Sequence, residues 1–105
     1  MAERIIRVGI IGGGSIAQAH LDGYALARDD ASVTAIADID PNNAKRSAGR
    51  AGGARIFGDY REMIASGLVD AVDICLPHHL HKDAIVAAAA AGKHVLCEKP
   101  LCLTI

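Results

Sequence analysis

At 105 residues, with 51% hydrophobic and only 3% aromatic side chains, the chain is sized for one domain with an aliphatic core. Eleven basic and twelve acidic side chains are dispersed along it and leave a net charge of −1, with no basic stripe or aromatic platform for nucleic acid. The longest uncharged apolar stretch, Ala84 to Ala91, is far too short to span a bilayer.

In chain order, Arg4 to Ile11 reads as a short buried strand. It is not the apolar segment of a signal peptide, because Arg7 and the cluster Gly12-Gly13-Gly14 interrupt it. A helix is predicted from Ser15 to about Arg28, with Ile16, Ala19, Leu21 and Tyr24 as packing positions. Val33 to Ala37 is a second strand, ending in Asp38. Asp40 before Pro41 reads as an N-cap with proline in the first helical position, opening a helix that runs to about Arg50. Gly52 and Gly53 close that helix.

Ala54 to Phe57 is a short strand, and Asp59 and Glu62 have capping-box spacing before a brief helix through Met63 and Ile64. Asp70 to Leu76 reads as a central strand stopped by Pro77. A helix from about His81 to Ala91 ends at Gly92, and His94 to Cys97 is the last strand. Thr104 has the character of one further N-cap. Strands and helices therefore alternate, which predicts an α/β doubly wound parallel sheet (a Rossmann fold) of about five strands, in the order 3-2-1-4-5.

The first strand–helix junction carries the chemistry. Gly12, Gly14 and Ala17 occupy the small positions of a G-x-G-x-x-G/A turn. The first lets the chain turn sharply, the second lets a pyrophosphate approach the backbone, and the third lets the helix lie close to the sheet. The helix start, at Ser15 and Ile16, offers amide groups and the positive end of its dipole to the phosphates. Asp38 lies 21 residues beyond Ala17, where this fold places the carboxylate that accepts the adenosine ribose hydroxyls. That charge would repel a 2′-phosphate, the next residue is Ile39, and Lys45 and Arg46 read as solvated charges on the following helix. NAD is expected over NADP.

Other polar residues carry less. Three cysteines without tight spacing argue against a disulfide framework and fit a reducing, cytoplasmic setting. Cys75 and Cys97 read as inert core thiols, and Cys102 as the more reactive one. His78, His79 and His81 lack a cysteine or carboxylate at ligand spacing and are not read as a metal site. His20 reads as a packed or partly exposed helix residue, and His94 carries no signal.

Gly12-Gly13-Gly14-Ser15-Ile16-Ala17, Ala37-Asp38, Leu76-Pro77-His78-His79-Leu80-His81 and Cys97-Glu98-Lys99-Pro100-Leu101, taken in this order, resemble the glucose–fructose oxidoreductase / inositol dehydrogenase / MocA family over essentially all 105 residues. The Glu-Lys-Pro step is the most specific piece. The resemblance implies an N-terminal cofactor domain, residues 1–105, of an oxidoreductase whose α+β substrate domain is not part of this chain. It also implies hydride transfer between a nicotinamide and a hydroxyl-bearing carbon, often of a sugar or cyclitol.

By the same resemblance Lys99 is the lysine that polarises the reacting oxygen, stabilising developing alkoxide charge. Glu98 is the acid near the nicotinamide ribose, and Pro100 follows a peptide that is often cis. Leu76, Pro77 and His78 line the cofactor, with His78 replacing the family's usual Asn. His81 matches a family position and is expected to cap or pack in the first turn of its helix. The family's proton-transfer Asp and His belong to the second domain. The chain alone is therefore expected to bind NAD without turnover.

Two other readings compete. One is a stand-alone nucleotide-sensing or interaction module without redox chemistry; the other is a methyltransferase, against which Pro77 and Glu-Lys-Pro argue. Without a covering domain, the face beside the last strand, with Leu96, Leu101 and Leu103, is expected to drive self-association as a two-fold dimer.

Overall fold

A computed structural model of the chain describes residues 5–12, 14–26 and 29–97. In chain order the elements are β1 (Ile6–Ile11), α1 (Ser15–Leu26), β2 (Ala31–Ala37), α2 (Pro41–Arg50), β3 (Arg55–Phe57), α3 (Tyr60–Ala65), β4 (Ala71–Ile74), α4 (His81–Ala90) and β5 (His94–Cys97). A single turn of 3-10 helix, His78–Leu80, leads into α4. All strand pairs are parallel, and their order is β3-β2-β1-β4-β5, as the alternation predicts.

β1 lies at the centre, so both of its faces are covered. Its apolar run is therefore nearly continuous, as central parallel strands require. Ile10 and Ile11 are both fully buried but point to opposite sides. Ile10 joins Ala17, Leu21, Val33, Ile36, Ala44 and Ala48 beneath α1 and α2. Ile11 joins Met63, Val72, Ile74, Ala84 and Ala88 beneath α3 and α4. Two core layers thus hold one sheet.

The helix ends follow local chemistry. Asp40 accepts the Asn42 N–H at 2.9 Å with Pro41 in the first helical position, and Asp59 accepts the Arg61 N–H at 2.8 Å. After α2 the Gly53 N–H bonds the Ala48 carbonyl at 2.9 Å, with Gly52 and Gly53 both at positive φ. Arg50, the last residue of α2, donates to the carbonyl and side chain of Gln18 and to Asp22. Gln18 in turn donates to the buried Ser47 hydroxyl at 2.9 Å, so α1 and α2 are fastened as a pair.

Several sequence expectations need correction. β2 begins at Ala31 rather than Val33, because Ala31 pairs with Ile6. β4 spans only Ala71–Ile74, not Asp70 to Leu76. Asp70, just before it, still bonds both neighbouring strands, through its N–H to the Arg7 carbonyl at 2.7 Å and its carbonyl from the His94 N–H at 3.3 Å, while its carboxylate accepts the Arg7 backbone N–H and guanidinium at 2.9–3.2 Å. That hydrogen bond, opposed by partial desolvation, raises the Arg7 guanidinium above its ordinary value. Ala19 is exposed; the buried positions of α1 are Ala17 and Leu21, with Tyr24 half-buried one turn further on. Among the described residues no helix is long and apolar enough to cross a membrane.

Gly9 shows how tightly the α3 side is packed. A Cβ there would lie 2.7 Å from the Met63 methyl carbon and 2.8 Å from Val69 Cγ1. Met63 is fully buried and Val69 is β-branched, so neither yields easily. Gly9→Ala is expected to cost about 1–3 kcal/mol, read as a lower urea midpoint at unchanged slope. Gly49→Ala, in α2 with open space around its Cβ position, is expected to add roughly 0.5–1 kcal/mol. A neutral Gly9→Ala would contradict the packing argument.

Candidate functional site

The carboxyl ends of β1, β2 and β4 converge on one edge of the sheet, where ligands bind in open parallel folds. β1 gives way to α1 at Gly12, whose φ of +96° is a conformation that L side chains rarely adopt. The turn is tied on both sides: Gly12 N–H donates to the Ala37 carbonyl at 2.7 Å, and Cys75 N–H to the Ile11 carbonyl at 2.8 Å. A Cβ on Gly12 would meet the Cys75 carbonyl oxygen at 2.7 Å, and backbone cannot step aside. Only glycine fits.

Gly14 has the opposite surroundings. Its chain neighbours aside, nothing among the described residues lies within 4 Å of where its Cβ would stand. Open space therefore faces the backbone at the start of α1, where the amides of Ser15 and Ile16 begin the helix. Ala17 is fully buried and lets α1 lie against the sheet. The Gln18 amide also donates to the Gly14 carbonyl at 3.2 Å, linking the turn to the α1–α2 clamp.

Asp38 stands immediately after β2, half-buried, its backbone N–H bonded to the Phe57 carbonyl at 3.1 Å. One of its carboxylate oxygens accepts the Asp40 N–H at 2.8 Å, which holds the side chain in one orientation. Beside it opens a groove of about 330 Å³ whose walls include Ala37, Asp38, Ile39, Tyr60, Arg61 and Leu76. The far wall was not legible in the sequence. Arg61 places its guanidinium 5.0 Å from the Tyr60 ring centre, and this cation–π pair forms part of the wall. Lys45 and Arg46 are exposed on α2, as expected, and Arg46 bonds Asn43.

The loop after β4 closes the groove. Leu76 lines it, Pro77 is exposed, and the Leu80 N–H bonds the Pro77 carbonyl at 2.9 Å across the turn that starts at His78. His81 is buried, and its Nε2–H donates to the Leu76 carbonyl at 2.6 Å, fixing the loop from beneath. That agrees with its expected packing role. Gly12, Gly14, Ser15, Ile16, Asp38, Leu76, Pro77 and His78 thus share one edge. Glu98 and Lys99, together with Pro100, Leu101, Cys102, Leu103 and Thr104, lie outside the described residues.

A second polar cluster sits under α1. Asp73, in the middle of β4 and 2% exposed, accepts from Tyr24 Oη and from His20 Nδ1, each at 2.7 Å. Cys75 is buried as expected but not among apolar groups alone, since its sulfur is 3.5 Å from His20 Nδ1 and 3.7 Å from Asp73 Oδ1. Burial first, then the Asp73 charge, raises the Tyr24 phenol far above its ordinary value, so it remains a donor. The network pins α1 to β4. It joins residues 49 to 55 positions apart, which local sequence pattern does not reveal.

The fold and this edge have known counterparts. The family described as "Oxidoreductase family, NAD-binding Rossmann fold" matches residues 6–105. An uncharacterized oxidoreductase of Rhizobium meliloti is 44% identical over 96% of this chain and 30% of its own length. The inositol 2-dehydrogenase of Acidothermus cellulolyticus is 38% identical over 97% of the chain and 30% of its own. The crystal structure of the WlbA dehydrogenase from Bordetella pertussis, in complex with NADH and UDP-GlcNAcA, superposes with a TM-score of 0.86 at 35% identity, covering 92% of this chain and 29% of that one. The chain spans about 30% of the length of the curated relatives it matches. It belongs to the glucose–fructose oxidoreductase / inositol dehydrogenase / MocA family of oxidoreductases, of which it forms the NAD-binding Rossmann domain.

Proposed function

We propose that residues 1–105 are the cofactor domain of a dehydrogenase that moves a hydride between NAD and a hydroxyl-bearing carbon of a sugar or cyclitol. The observation that carries this reading is the paired geometry of the edge: a Gly12 turn locked against Cys75, and an oriented Asp38 across the groove. NAD fits these residues, since the space in front of Gly14 is what a pyrophosphate requires and a side chain there would fill it. Gly12, Gly14, Ser15 and Ile16 would hold the phosphates through the start of α1. Asp38 would accept the ribose hydroxyls, and the Tyr60–Arg61 wall would flank the adenine. Leu76, Pro77 and His78 would border the cofactor further along the edge.

When bound, NAD supplies the carbon that accepts or gives up the hydride. By family resemblance Lys99 would donate to the reacting oxygen and stabilise its developing charge, and Glu98 would act near the nicotinamide ribose and that lysine. By the same resemblance the substrate sheet and the proton-transfer Asp and His would belong to a second domain, and residues 1–105 would supply the dinucleotide site. The names of relatives that act on inositol or bind UDP-GlcNAcA support a polyhydroxylated substrate. We place the protein in the cytoplasm, where thiols stay reduced.

The Asp38 carboxylate should favour NADH over NADPH by at least tenfold, because a 2′-phosphate would meet like charge. Asp38→Ala should weaken NADH about ten- to a hundredfold, the loss of hydrogen bonds to a charged group worth ~1.5–3 kcal/mol, and should narrow the NADH/NADPH ratio. Isothermal titration measures both. Unchanged NADH affinity in that variant would overturn the reading. Self-association as a two-fold dimer through the face beside β5 is part of the same proposal. Sedimentation should show a concentration-dependent dimer, and a monomer at high concentration would contradict it.

A further inference from the structure

We propose that His20, Asp73 and Cys75 form a binding site for one divalent cation of the zinc class, between α1 and β4. The three side chains bring an imidazole nitrogen, a carboxylate oxygen and a sulfur within 4.8 Å of one another. This mixed donor set suits a borderline-soft ion and not magnesium or calcium, which take oxygen. The site is independent of the dinucleotide function proposed above.

The geometry needs little adjustment. With zinc bonds of about 2.3 Å to sulfur and about 2.0–2.2 Å to nitrogen and oxygen, the edges of a tetrahedron meeting at sulfur are roughly 3.5–3.6 Å long. The sulfur lies 3.5 Å from His20 Nδ1 and 3.7 Å from Asp73 Oδ1. Nδ1 now meets Asp73 through the other carboxylate oxygen, Oδ2, at 2.7 Å. Coordination replaces that contact: the imidazole carries its proton on Nε2, Nδ1 turns to the cation, and the thiol proton passes to solvent. Oδ2 keeps its hydrogen bond from Tyr24, the outer partner that ligating carboxylates ordinarily have.

Charge and access also agree. A thiolate and a carboxylate together offset the charge of a dication, with the imidazole neutral. Asp73 is nearly inaccessible, while the His20 side chain keeps 19% of its surface exposed, which gives an entry path and a fourth position for water. The ligands come from a helix and a strand, Asp73 and Cys75 being next neighbours on one face of the chain leaving β4. A bound cation would therefore fasten α1 to the sheet more strongly than the hydrogen bonds do, beneath the turn at Gly12.

Cobalt(II) tests the site, since thiolate ligation produces an intense charge-transfer band. The chain, free of any tag, is titrated as the double variant Cys97→Ser/Cys102→Ser, which leaves Cys75 as its one thiol. The expected result is a band that saturates at one equivalent, is bleached by zinc, and is accompanied by a rise in Tm with zinc. Adding Cys75→Ser should abolish the band, and His20→Ala should weaken cobalt binding at least tenfold. No band in the double variant, or one indifferent to His20→Ala, would overturn the proposal. Because the double variant retains Cys75 in place, the test holds even where Cys75→Ser does not fold.

Discussion

The structure depends on one close approach, that of the Gly12 backbone to the Cys75 carbonyl. At 2.7 Å from that oxygen a Cβ has no room, and the φ of +96° already asks for glycine. The same peptide is bonded to Ala37, so the ends of β1, β2 and β4 meet at a single point. Where the chain leaves that point decides where α1 starts. The helix in turn is held by Arg50 and Gln18 on one side and by the Asp73 network on the other. A rigid helix start facing open space is what anion recognition by backbone amides requires.

Polar groups in the interior serve this positioning. Asp73 would be costly in the centre of a parallel strand if it were not hydrogen-bonded. Tyr24 and His20 supply those bonds from α1, and the cluster lies two residues from the Cys75 peptide that abuts Gly12. His81 does the equivalent on the opposite face, holding Leu76 by its carbonyl. Both sides of the turn are thus braced by side chains rather than by apolar contact alone.

Much of this was legible in the sequence because it is local. The order of strands follows from alternation, the caps at Asp40 and Asp59 from residue type, and the turn from Gly12, Gly14 and Ala17. What escaped was set by distant partners. The Asp70 carboxylate is committed to Arg7, 63 positions away, and Ala19 faces solvent because Ala17 and Leu21 take the buried stripe. Arg61 reaches the groove only because β3 brings the start of α3 beside the end of β2, which spacing from Asp38 does not suggest. Cys75 reads as an apolar thiol until the fold sets His20 and Asp73 around it. The methyltransferase reading has no support beside a family match over residues 6–105.

The central claim is that the amides opening α1 grip a diphosphate while Asp38 clasps the attached ribose. Backbone amide NMR with NADH added to the chain tests it most directly. The account predicts the largest shifts at Gly12, Gly14, Ser15 and Ile16, with a second group at Asp38 and Leu76. Shifts confined to the opposite edge, around Arg7, Asp70 and His94, would contradict it.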